Sequence, residues 1–432
     1  MIEKLSELLE LIKNVNSIVL YGAGNVGKAM VIWMDVNKSL DKISFIVDTK
    51  KRGRLYGFPI ISLSELNYEP SQRIIVTSTS SNRNEIIAEI SKYHYMDMVL
   101  LSDTLCKELI DERTFLRGGA IATDKKYWNN QKEKTFLREN GWDVFFDDIS
   151  IKYINLVRGM DIESTDTIAR IICRIKRILS EEKDTLDIYT EYEQIELKKQ
   201  KTDFYDLIWK CSEDKFCYRK YMLPINHFES SVFYYKHGID HIADIAALSG
   251  KTFIDAGGYI GDSVLVMEEL FPETIIVFEA LPKHCKLIKK TVEMNSLRNV
   301  VVENMALGEE AGSVEIQVAD SGSNGIGRKG LDYSEKVITP VISLDDYVEK
   351  NNILNIGLIK SDIEGMEPYL LKGAKKSIEK YKPVLLICIY HNPYDFFEIK
   401  PMIESWNLGY KFSVYKPVTG GVVGETVLIA QV

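Results

Sequence analysis

The chain has 432 residues, 45% of them hydrophobic, and a formal net charge of −9 at pH 7. This length exceeds what a single ordinary core supports, so we expect two or three domains. The acidic balance argues against a nucleic-acid partner or an anionic membrane surface, and no apolar stretch approaches the roughly 20 residues that span a bilayer.

Residues 1–110 predict a small Rossmann-like domain of the nucleotide-binding type, in which strands alternate with helices. Apolar positions at helical spacing over residues 2–13 predict an amphipathic helix, and apolar runs at 43–48 and 73–80 predict strands. The segment SIVLYGAGNVGKAM, after the first helix, has the Gly-x-Gly-x-x-Gly spacing of dinucleotide-binding turns.

This first glycine turn defines a candidate second nucleotide site, for NAD or a sugar nucleotide. An acid ends the next strand, where a ribose hydroxyl would need an acceptor. The predicted residues of this site are Gly22, Gly24, Asn25, Val26, Gly27 and Asp48. The same spacing also serves close packing of a helix on a strand, so a purely structural turn is an equal alternative.

Residues 111–240 predict a mostly helical linker or substrate region. A helical stripe covers 167–180, while the aromatic and charged stretch 192–222 shows no strand periodicity. The aromatic run Phe233-Tyr234-Tyr235 is interpreted first as core and second as a wall on which a sugar could stack.

The histidines of this region raise the alternative of a zinc site. They are His227, His237 and His241, with Cys211 or Cys217 as a further candidate ligand. Because these residues do not form two close pairs, ordinary packing or substrate contact is the favoured interpretation.

Residues 241–432 predict a larger α/β domain. Five β/α units followed by two adjacent strands predict a doubly wound sheet of seven strands whose last pair is antiparallel. In such a sheet the carboxyl ends of the strands border the ligand crevice. The glycine- and serine-rich loop 321–325 is predicted to be a mobile lid.

The second glycine turn lies in TFIDAGGYIGDS, residues 252–263. Glycines let the backbone approach a ligand and present free N–H groups at the start of a helix. Asp255 precedes the first glycine by two residues and would repel a phosphate, and Glu279 ends the next strand. S-adenosylmethionine has a sulfonium, an ammonium and two ribose hydroxyls, which suit these carboxylates. An aspartate satisfied at a strand end without a ligand is the alternative.

Five segments follow one another in the C-terminal part of the chain: FIDAGGYIGDS, VFEALPKHCKLIKKTVEMN, ENMALGEEAG, VISLDDYV and LIKSDIEGMEPYLLKGA. In this order they resemble the FkbM-like family, S-adenosylmethionine-dependent O-methyltransferases that act on glycans and secondary metabolites. The resemblance covers residues 251–395, about a third of the chain, and implies a class I methyltransferase domain. The N-terminal layer separately resembles the small Rossmann domains attached to sugar-modifying enzymes.

The glycine turn and this resemblance together give the predicted cofactor site. Its residues are Asp255, Gly257, Gly258, Tyr259, Gly261, Asp262, Glu279, Ala280, Asn304, Ala306 and Asp362.

Methyl transfer to a hydroxyl also calls for a positioned acceptor and a base. Asp362 and Glu364 end the fourth strand and His391 ends the fifth, so these predicted catalytic residues share one rim. Helix capping or turn formation are the alternative roles. We predict no resident metal, although Asp362, Glu364 and Asp345 could alternatively hold a divalent cation.

The sequence therefore predicts an O-methyltransferase that uses S-adenosylmethionine and acts on a hydroxyl of a glycan, sugar nucleotide or related metabolite. An NAD(H)-dependent sugar-nucleotide oxidoreductase or epimerase, and a non-catalytic nucleotide-sensing scaffold, are the alternatives. Six cysteines without a CxxC pair, and an N-terminus without a signal-peptide core, predict a reduced, cytoplasmic location. The expected partner is the substrate, with neither nucleic acid nor a membrane span. The oligomeric state stays open, a homodimer included.

Overall fold

The chain divides into two compact units in the computed structural model. One contains Met1–Thr123 and Lys198–His227, and the other contains Asp124–Leu197 and Phe228–Val432. The stretch 111–240, interpreted above as one linker or substrate region, is therefore shared between the two units. The structure describes residues 1–36, 39–55, 58–69, 72–93, 98–115, 128–144, 148–181, 185–186, 188–212, 214–319, 324–325 and 333–432.

The N-terminal part of the first unit is a mainly parallel sheet with helices. Its helices are α1 (Leu5–Lys13), α2 (Asn25–Val36), α3 (Ser80–Ser91) and α4 (Asp103–Phe115), and its strands are β1 (Ser17–Tyr21), β2 (Ile43–Val47), β3 (Gly53–Leu55), β4 (Phe58–Ile61), β5 (Gln72–Val76) and β6 (Met98–Leu100). The described strands follow the order β3–β4–β2–β1–β5–β6, and only β3 and β4 pair antiparallel. Central β1 is buried along nearly its whole length, which explains its unbroken apolar sequence.

The middle of the chain combines helices with short strands. In chain order these are β7 (Trp128–Asn129), α5 (Asn130–Glu139), α6 (Ile149–Val157), α7 (Ile162–Ser180), β8 (Thr185–Leu186), α8 (Glu191–Asp203), β9 (Ile208–Ser212), β10 (Lys215–Tyr218), β11 (Tyr221–Leu223) and α9 (Ser230–Phe233). The described β9, β10 and β11 form an antiparallel sheet in the stretch where the sequence predicted no strands. That prediction was wrong because the strands are short, and buried neighbours such as Cys217 and Tyr218 break the alternation.

The C-terminal part of the second unit is the predicted doubly wound domain. Its elements are β12 (Thr252–Ala256), α10 (Asp262–Met267), β13 (Thr274–Phe278), α11 (Pro282–Met294), β14 (Val300–Glu303), β15 (Ala306–Leu307), β16 (Gly312–Ala319), β17 (Asn324–Gly325), β18 (Tyr333–Ile342), α12 (Leu344–Lys350), β19 (Ile356–Ser361), α13 (Glu367–Gly373), α14 (Lys375–Tyr381), β20 (Val384–Cys388), α15 (Pro393–Glu404), β21 (Lys411–Tyr415) and β22 (Val427–Gln431). Short 3₁₀ helices cover Leu40–Lys42, Leu63–Glu65, Tyr205–Leu207, Lys236–His241, Ala246–Leu248 and Glu268–Leu270.

The described strands of the main sheet number seven, in the order β14–β13–β12–β19–β20–β22–β21. Strand β22 runs antiparallel to β21, as the sequence predicted, and it is also antiparallel to its other neighbour, β20. The predicted hairpin is also confirmed, since β16 pairs antiparallel with β18. Most of the loop 321–325, the predicted lid, lies outside the described residues.

The order of the strands positions the candidate site. Strand β12 lies between β13 and β19, so the direction of winding reverses there, and such a switch point opens a crevice at the carboxyl ends of the strands. Both β12 and β19 are buried along their whole length. Over the residues that the structure describes, none of the helices has the length and apolar character needed to cross a bilayer.

Candidate active site

The second glycine turn packs closely against the two neighbouring strands. A Cβ on Gly257, whose φ is +83°, would lie 1.9 Å from the carbonyl oxygen of Asp362, and a Cβ on Gly258 would lie 2.1 Å from the Val277 side chain. The N–H of Gly257 donates to the carbonyl of Phe278 at 2.9 Å. Glycine is therefore required at these two positions by packing, and the turn is held at the switch point of the sheet.

Asp255 lies beneath this turn and is fully buried. The ammonium of Lys360, from β19, is 3.1 Å from Asp255 Oδ1 and also donates to the Gly257 carbonyl at 3.1 Å. Burial raises the pKa of Asp255. Burial alone would lower the pKa of Lys360, but the carboxylates of Asp255 and Asp362 raise it. The buried ion pair of Asp255 and Lys360 thus helps to hold the glycine turn in place.

Glu279 joins the turn to the end of β13. Its Oε2 accepts the N–H of Tyr259 at 2.9 Å, and its Oε1 accepts the N–H of Leu281 at 2.8 Å. A carboxylate has about four acceptor positions, so this one retains capacity for hydroxyl donors such as those of a ribose. The ring of His284 contacts Tyr259 edge-on, with 4.8 Å between centroids, and its Nδ1 lies 3.5 Å from Glu279 Oε1.

The other predicted cofactor residues surround the same turn. The side-chain amide of Asn304 donates to the carbonyls of Glu279 at 3.0 Å and Ala280 at 3.1 Å. Ala306 begins β15 and pairs with Val341. Asp262 is buried in the first turn of α10. These residues lie at the carboxyl edge of the sheet, and their contact with a cofactor stays a prediction.

Asp362 and His391 meet at the ends of β19 and β20. Asp362 Oδ1 is 3.1 Å from His391 Nε2, and the hydroxyl of Tyr390 donates to the same oxygen at 3.1 Å. The N–H of Asp362 donates to the carbonyl of Ala256 at 2.9 Å, which ties this acid to the strand preceding the glycine turn. Burial alone would raise the pKa of Asp362, but His391 and Lys360 hold it well below its usual range.

Glu367 completes this network, and the sequence analysis did not select it as a site residue. It is fully buried, and its two oxygens accept the N–H groups of Ile363 at 2.8 Å and Gly365 at 2.9 Å. Its Oε1 is 3.4 Å from Nδ1 of His391. Burial alone would lower the pKa of His391, but Glu367 and Asp362 raise it well above its usual value. The imidazole is therefore held as a cation between two acids.

The predicted catalytic residue Glu364 lies at the edge of this network. Its side chain is 41% exposed, and its Oε2 is 3.8 Å from His391 Nε2. Its φ of 59° is in the left-handed region, which is uncommon for a residue with a side chain. The structure thus brings Glu364, Asp362 and His391 to one rim.

The ligand atoms of Asp362, Glu367 and His391 lie within 4.8 Å of one another, so these side chains could hold a metal ion. The alternative cation site proposed from the sequence was wrong to include Asp345. That carboxylate instead accepts the N–H groups of Lys376 at 3.0 Å and Ser377 at 2.7 Å. Asp345 belongs to α12, and its carboxylate binds the start of α14, where the helix presents N–H groups without partners inside the helix.

Among the side chains that the structure describes, those of the alternative zinc site do not form a group that could hold a metal ion. Cys217 is disulfide-bonded, so it does not supply a thiolate to such a site. His237 Nε2 lies 3.2 Å from the hydroxyl of Ser263, while the ring of His241 contacts that of Tyr415 at a tilt of 38°, with 4.3 Å between centroids. These two histidines therefore have packing and hydrogen-bond partners of their own.

Glu425 is a further rim residue that the sequence analysis missed. The N–H of Ile389 donates to the carbonyl of Thr426 at 3.0 Å, which places Glu425 beside the end of β20. Burial, followed by the charges of Glu229 and Asp362, raises the pKa of Glu425 to about 8. Its position depends on the register of β22 against β20, and no local motif marks it.

The first glycine turn has its own internal contacts. Asp48 Oδ2 accepts the N–H of Ala23 at 2.8 Å, and Oδ1 accepts the N–H groups of two residues in its own loop. A Cβ on Gly27 would lie 1.8 Å from the carbonyl oxygen of Gly22, whereas a Cβ on Gly24 would meet nothing within 4 Å. Val26 is buried. The side chain of Asn25 lies outside the described part of the chain. Packing accounts for this turn, and a nucleotide there stays a prediction.

Comparison with known proteins finds similarity in the C-terminal part of the chain. The family model described as Methyltransferase FkbM domain matches residues 255–412. Methyltransferase 1 of Beauveria bassiana (strain ARSEF 2860) is 25% identical over 201 residues, which cover 41% of this chain and 80% of that protein.

Solved structures with methyltransferase descriptions also align with the chain. The crystal structure of Methyltransferase FkbM from Methylobacillus flagellatus KT covers 98% of this chain and 93% of its own, at 17% identity and a TM-score of 0.42. A putative methyltransferase from Streptococcus mutans, in complex with SAH, covers 48% of this chain and 100% of its own, at 10% identity and a TM-score of 0.28. The family match contains the glycine turn, Glu279, Asp362 and His391, so residues 255–412 of this chain are similar to the methyltransferase FkbM domain.

Proposed function

We propose that the protein is an S-adenosylmethionine-dependent O-methyltransferase whose acceptor is a hydroxyl of a glycan, a sugar nucleotide or a related metabolite. The observation that carries the proposal is the direct contact between the second glycine turn and Asp362, an ionised acid. The N–H of Asp362 bonds to Ala256, and its carbonyl occupies the space beside Gly257.

The residues of the second glycine turn fit such a cofactor. Glu279 retains acceptor capacity for ribose hydroxyls after binding two backbone N–H groups. Asp362 is held ionised and so favours a cationic group nearby. The basic side chain at this turn, Lys360, is already paired with Asp255. A turn lined by carboxylates would therefore suit a diphosphate poorly, which supports a sulfonium ligand over a dinucleotide.

When bound, S-adenosylmethionine supplies the methyl group and its own leaving group. The chain then has to position the acceptor hydroxyl and accept its proton. We assign positioning to Asp362, which His391 and Tyr390 hold in one orientation. A carboxylate with a strongly lowered pKa is a weak base, so Glu425, whose pKa is raised to about 8, is the better proton acceptor. His391 is a positioning residue because its two nitrogens face acids.

A methyl-transfer screen tests the proposed reaction. Purified protein is incubated with S-adenosylmethionine labelled in the methyl group and a panel of sugar nucleotides, polyols and glycans. We expect label to enter a hydroxyl of at least one carbohydrate acceptor, and Asp362→Asn to abolish the transfer. The Asp48→Asn variant is the control, since it makes the same substitution at an acid beside the other glycine turn. Transfer to a nitrogen or a thiol only would contradict the proposal.

A further inference from the structure

A cavity of about 620 Å³ runs along the edge strand β21, within the second unit. Its floor includes Ser413 and Tyr415 of β21 and Ile429 of β22, and helix α7 contributes Arg170 and Arg174 to one side. This volume lies within the range of about 300–1,000 Å³ that small-molecule pockets occupy. The residues described above as the cofactor site do not line it.

The walls of this cavity are held by contacts within the chain. The hydroxyl of Ser164 on α7 accepts the N–H of Val414 at 2.9 Å, so the helix covers part of the sheet edge. Arg174 binds both oxygens of Glu193, at 2.9 and 2.6 Å, and both side chains are largely buried. A buried bidentate pair of this kind has little freedom to move. The cavity is therefore a preformed feature of the fold.

The lining combines aromatic rings with hydrogen-bonding groups of both kinds. Tyr192 is 67% exposed, and Tyr235 and Tyr415 stand near each other with 6.4 Å between ring centroids. Carboxylates of Asp161, Glu163 and Glu193 and the basic side chains of Arg170, Arg174, Lys411 and Lys416 are nearly balanced in charge. Aromatic faces accept apolar C–H surfaces, and mixed donors and acceptors match hydroxyls, so this lining suits a carbohydrate better than a strongly charged ligand.

The direction of β21 connects the cavity with the reaction site. Because β22 is antiparallel to both β20 and β21, the strand β21 runs parallel to β20 and β19. Its carboxyl end, at Tyr415, therefore lies at the sheet edge that carries Asp362. Adjacent strands are about 4.8 Å apart, so three spacings separate the two strand ends by about 14 Å. Lys416, which follows Tyr415, lines the cavity and donates to the carbonyl of Pro417 at 2.9 Å and to the hydroxyl of Thr419 at 3.0 Å.

We propose that this cavity, which we call the β21 cavity, binds non-reacting units of an oligosaccharide acceptor while the methylated hydroxyl lies beside Asp362. The separation along the sheet edge means that a single sugar at the reaction site would not fill the cavity, whereas an extended chain would occupy both. The catalytic half of this inference rests on the proposed function, but saccharide binding by the cavity is measurable without methyl transfer.

The test is binding of the full chain to an array of immobilised, defined oligosaccharides and their constituent monosaccharides. We expect selective binding of one oligosaccharide class over its monosaccharides, and a loss of at least tenfold in Tyr192→Ala. Tyr369→Ala is the matched control, because Tyr369 is a 46% exposed tyrosine on α13 outside the cavity lining, and should bind as wild type does. Arg170→Gln provides a second variant at a half-exposed wall position.

A parallel titration with S-adenosylhomocysteine separates the two proposals. Cofactor-product binding without any oligosaccharide binding, or oligosaccharide binding unaffected by both Tyr192→Ala and Arg170→Gln, would overturn the β21 cavity proposal alone. Equal binding of monosaccharides and oligosaccharides would overturn it as well. Oligosaccharide binding that depends on Tyr192 would support the β21 cavity proposal, whether or not the protein binds S-adenosylhomocysteine. Failure to bind S-adenosylhomocysteine would contradict the proposed methyl transfer instead.

Discussion

Single residues tie each glycine turn to the acid that ends the next strand. The N–H of Ala23 donates to Asp48, and the N–H of Tyr259 donates to Glu279, at 2.8 and 2.9 Å. The spacing between the glycines and the end of the next strand was enough to identify both Asp48 and Glu279 from the sequence. Lys360 was not selected, because its partnership with Asp255 depends on the register between β12 and β19, which lie far apart in the sequence.

The network around His391 predicts a particular dependence of stability on pH. The pKa of His391 is raised above 6.5, so its contribution is complete below about pH 6.5 and is lost as the pH rises through the folded pKa. The pKa of Asp362 is lowered below 3.8, so its contribution is lost only as the pH falls through that lower value. The free energy of unfolding should therefore be higher for wild type than for His391→Gln, and the difference should be largest between about pH 4 and 6.5. Urea titrations measure this difference, and a difference that grows towards alkaline pH would refute the network.

The proposed role of Glu425 predicts the pH dependence of kcat. Its carboxyl has a pKa of about 8, so the base form increases as the pH rises through that value, and kcat should rise with it. Glu425→Gln should remove this rise and lower kcat by roughly 10²- to 10⁴-fold. Glu229→Gln removes a neighbouring negative charge and should move the rise to lower pH. Identical profiles for all three proteins would exclude Glu425 as the proton acceptor.

At the level of elements, the sequence was most informative where strand and helix alternate. The seven strands of the main sheet and the antiparallel last pair were predicted correctly, because each β/α unit has a long apolar run and a clear break. The small sheet at Ile208–Leu223 was missed because strands of three to five residues carry little periodicity. Asp345 was wrongly included in the alternative cation site. Its actual contact, with the start of α14, depends on tertiary packing that the local sequence does not reveal.

The packing of α2 on the first glycine turn predicts opposite outcomes for two neighbouring glycines. A Cβ on Gly27 would meet the carbonyl of Gly22 at 1.8 Å, so Gly27→Ala should destabilise the first unit by about 1–3 kcal/mol. A Cβ on Gly24 would meet no atom within 4 Å, so Gly24→Ala should change stability little. Thermal unfolding of the two variants makes the comparison. Equal losses of stability would mean that the turn is not held by this contact.

For the whole molecule, the family match and the candidate active site belong to one of two compact units. That unit takes in residues 124–197 as well as the C-terminal domain, while residues 198–227 belong to the other. The sequence suggested boundaries near 110 and 240, since composition changes there. A chain that leaves a unit and returns to it gives no such local signal, so this arrangement could not be inferred from sequence order.

Isothermal titration with S-adenosylhomocysteine and, separately, NADH tests the central claim most directly. We expect one S-adenosylhomocysteine site per chain, weakened about tenfold in Glu279→Gln through the loss of charge-assisted hydrogen bonds. Asp48→Asn, the corresponding change at the first glycine turn, should retain the wild-type affinity. Binding of NADH with no binding of S-adenosylhomocysteine, or equal affinity in wild type and Glu279→Gln, would contradict the assignment of the second glycine turn to this cofactor.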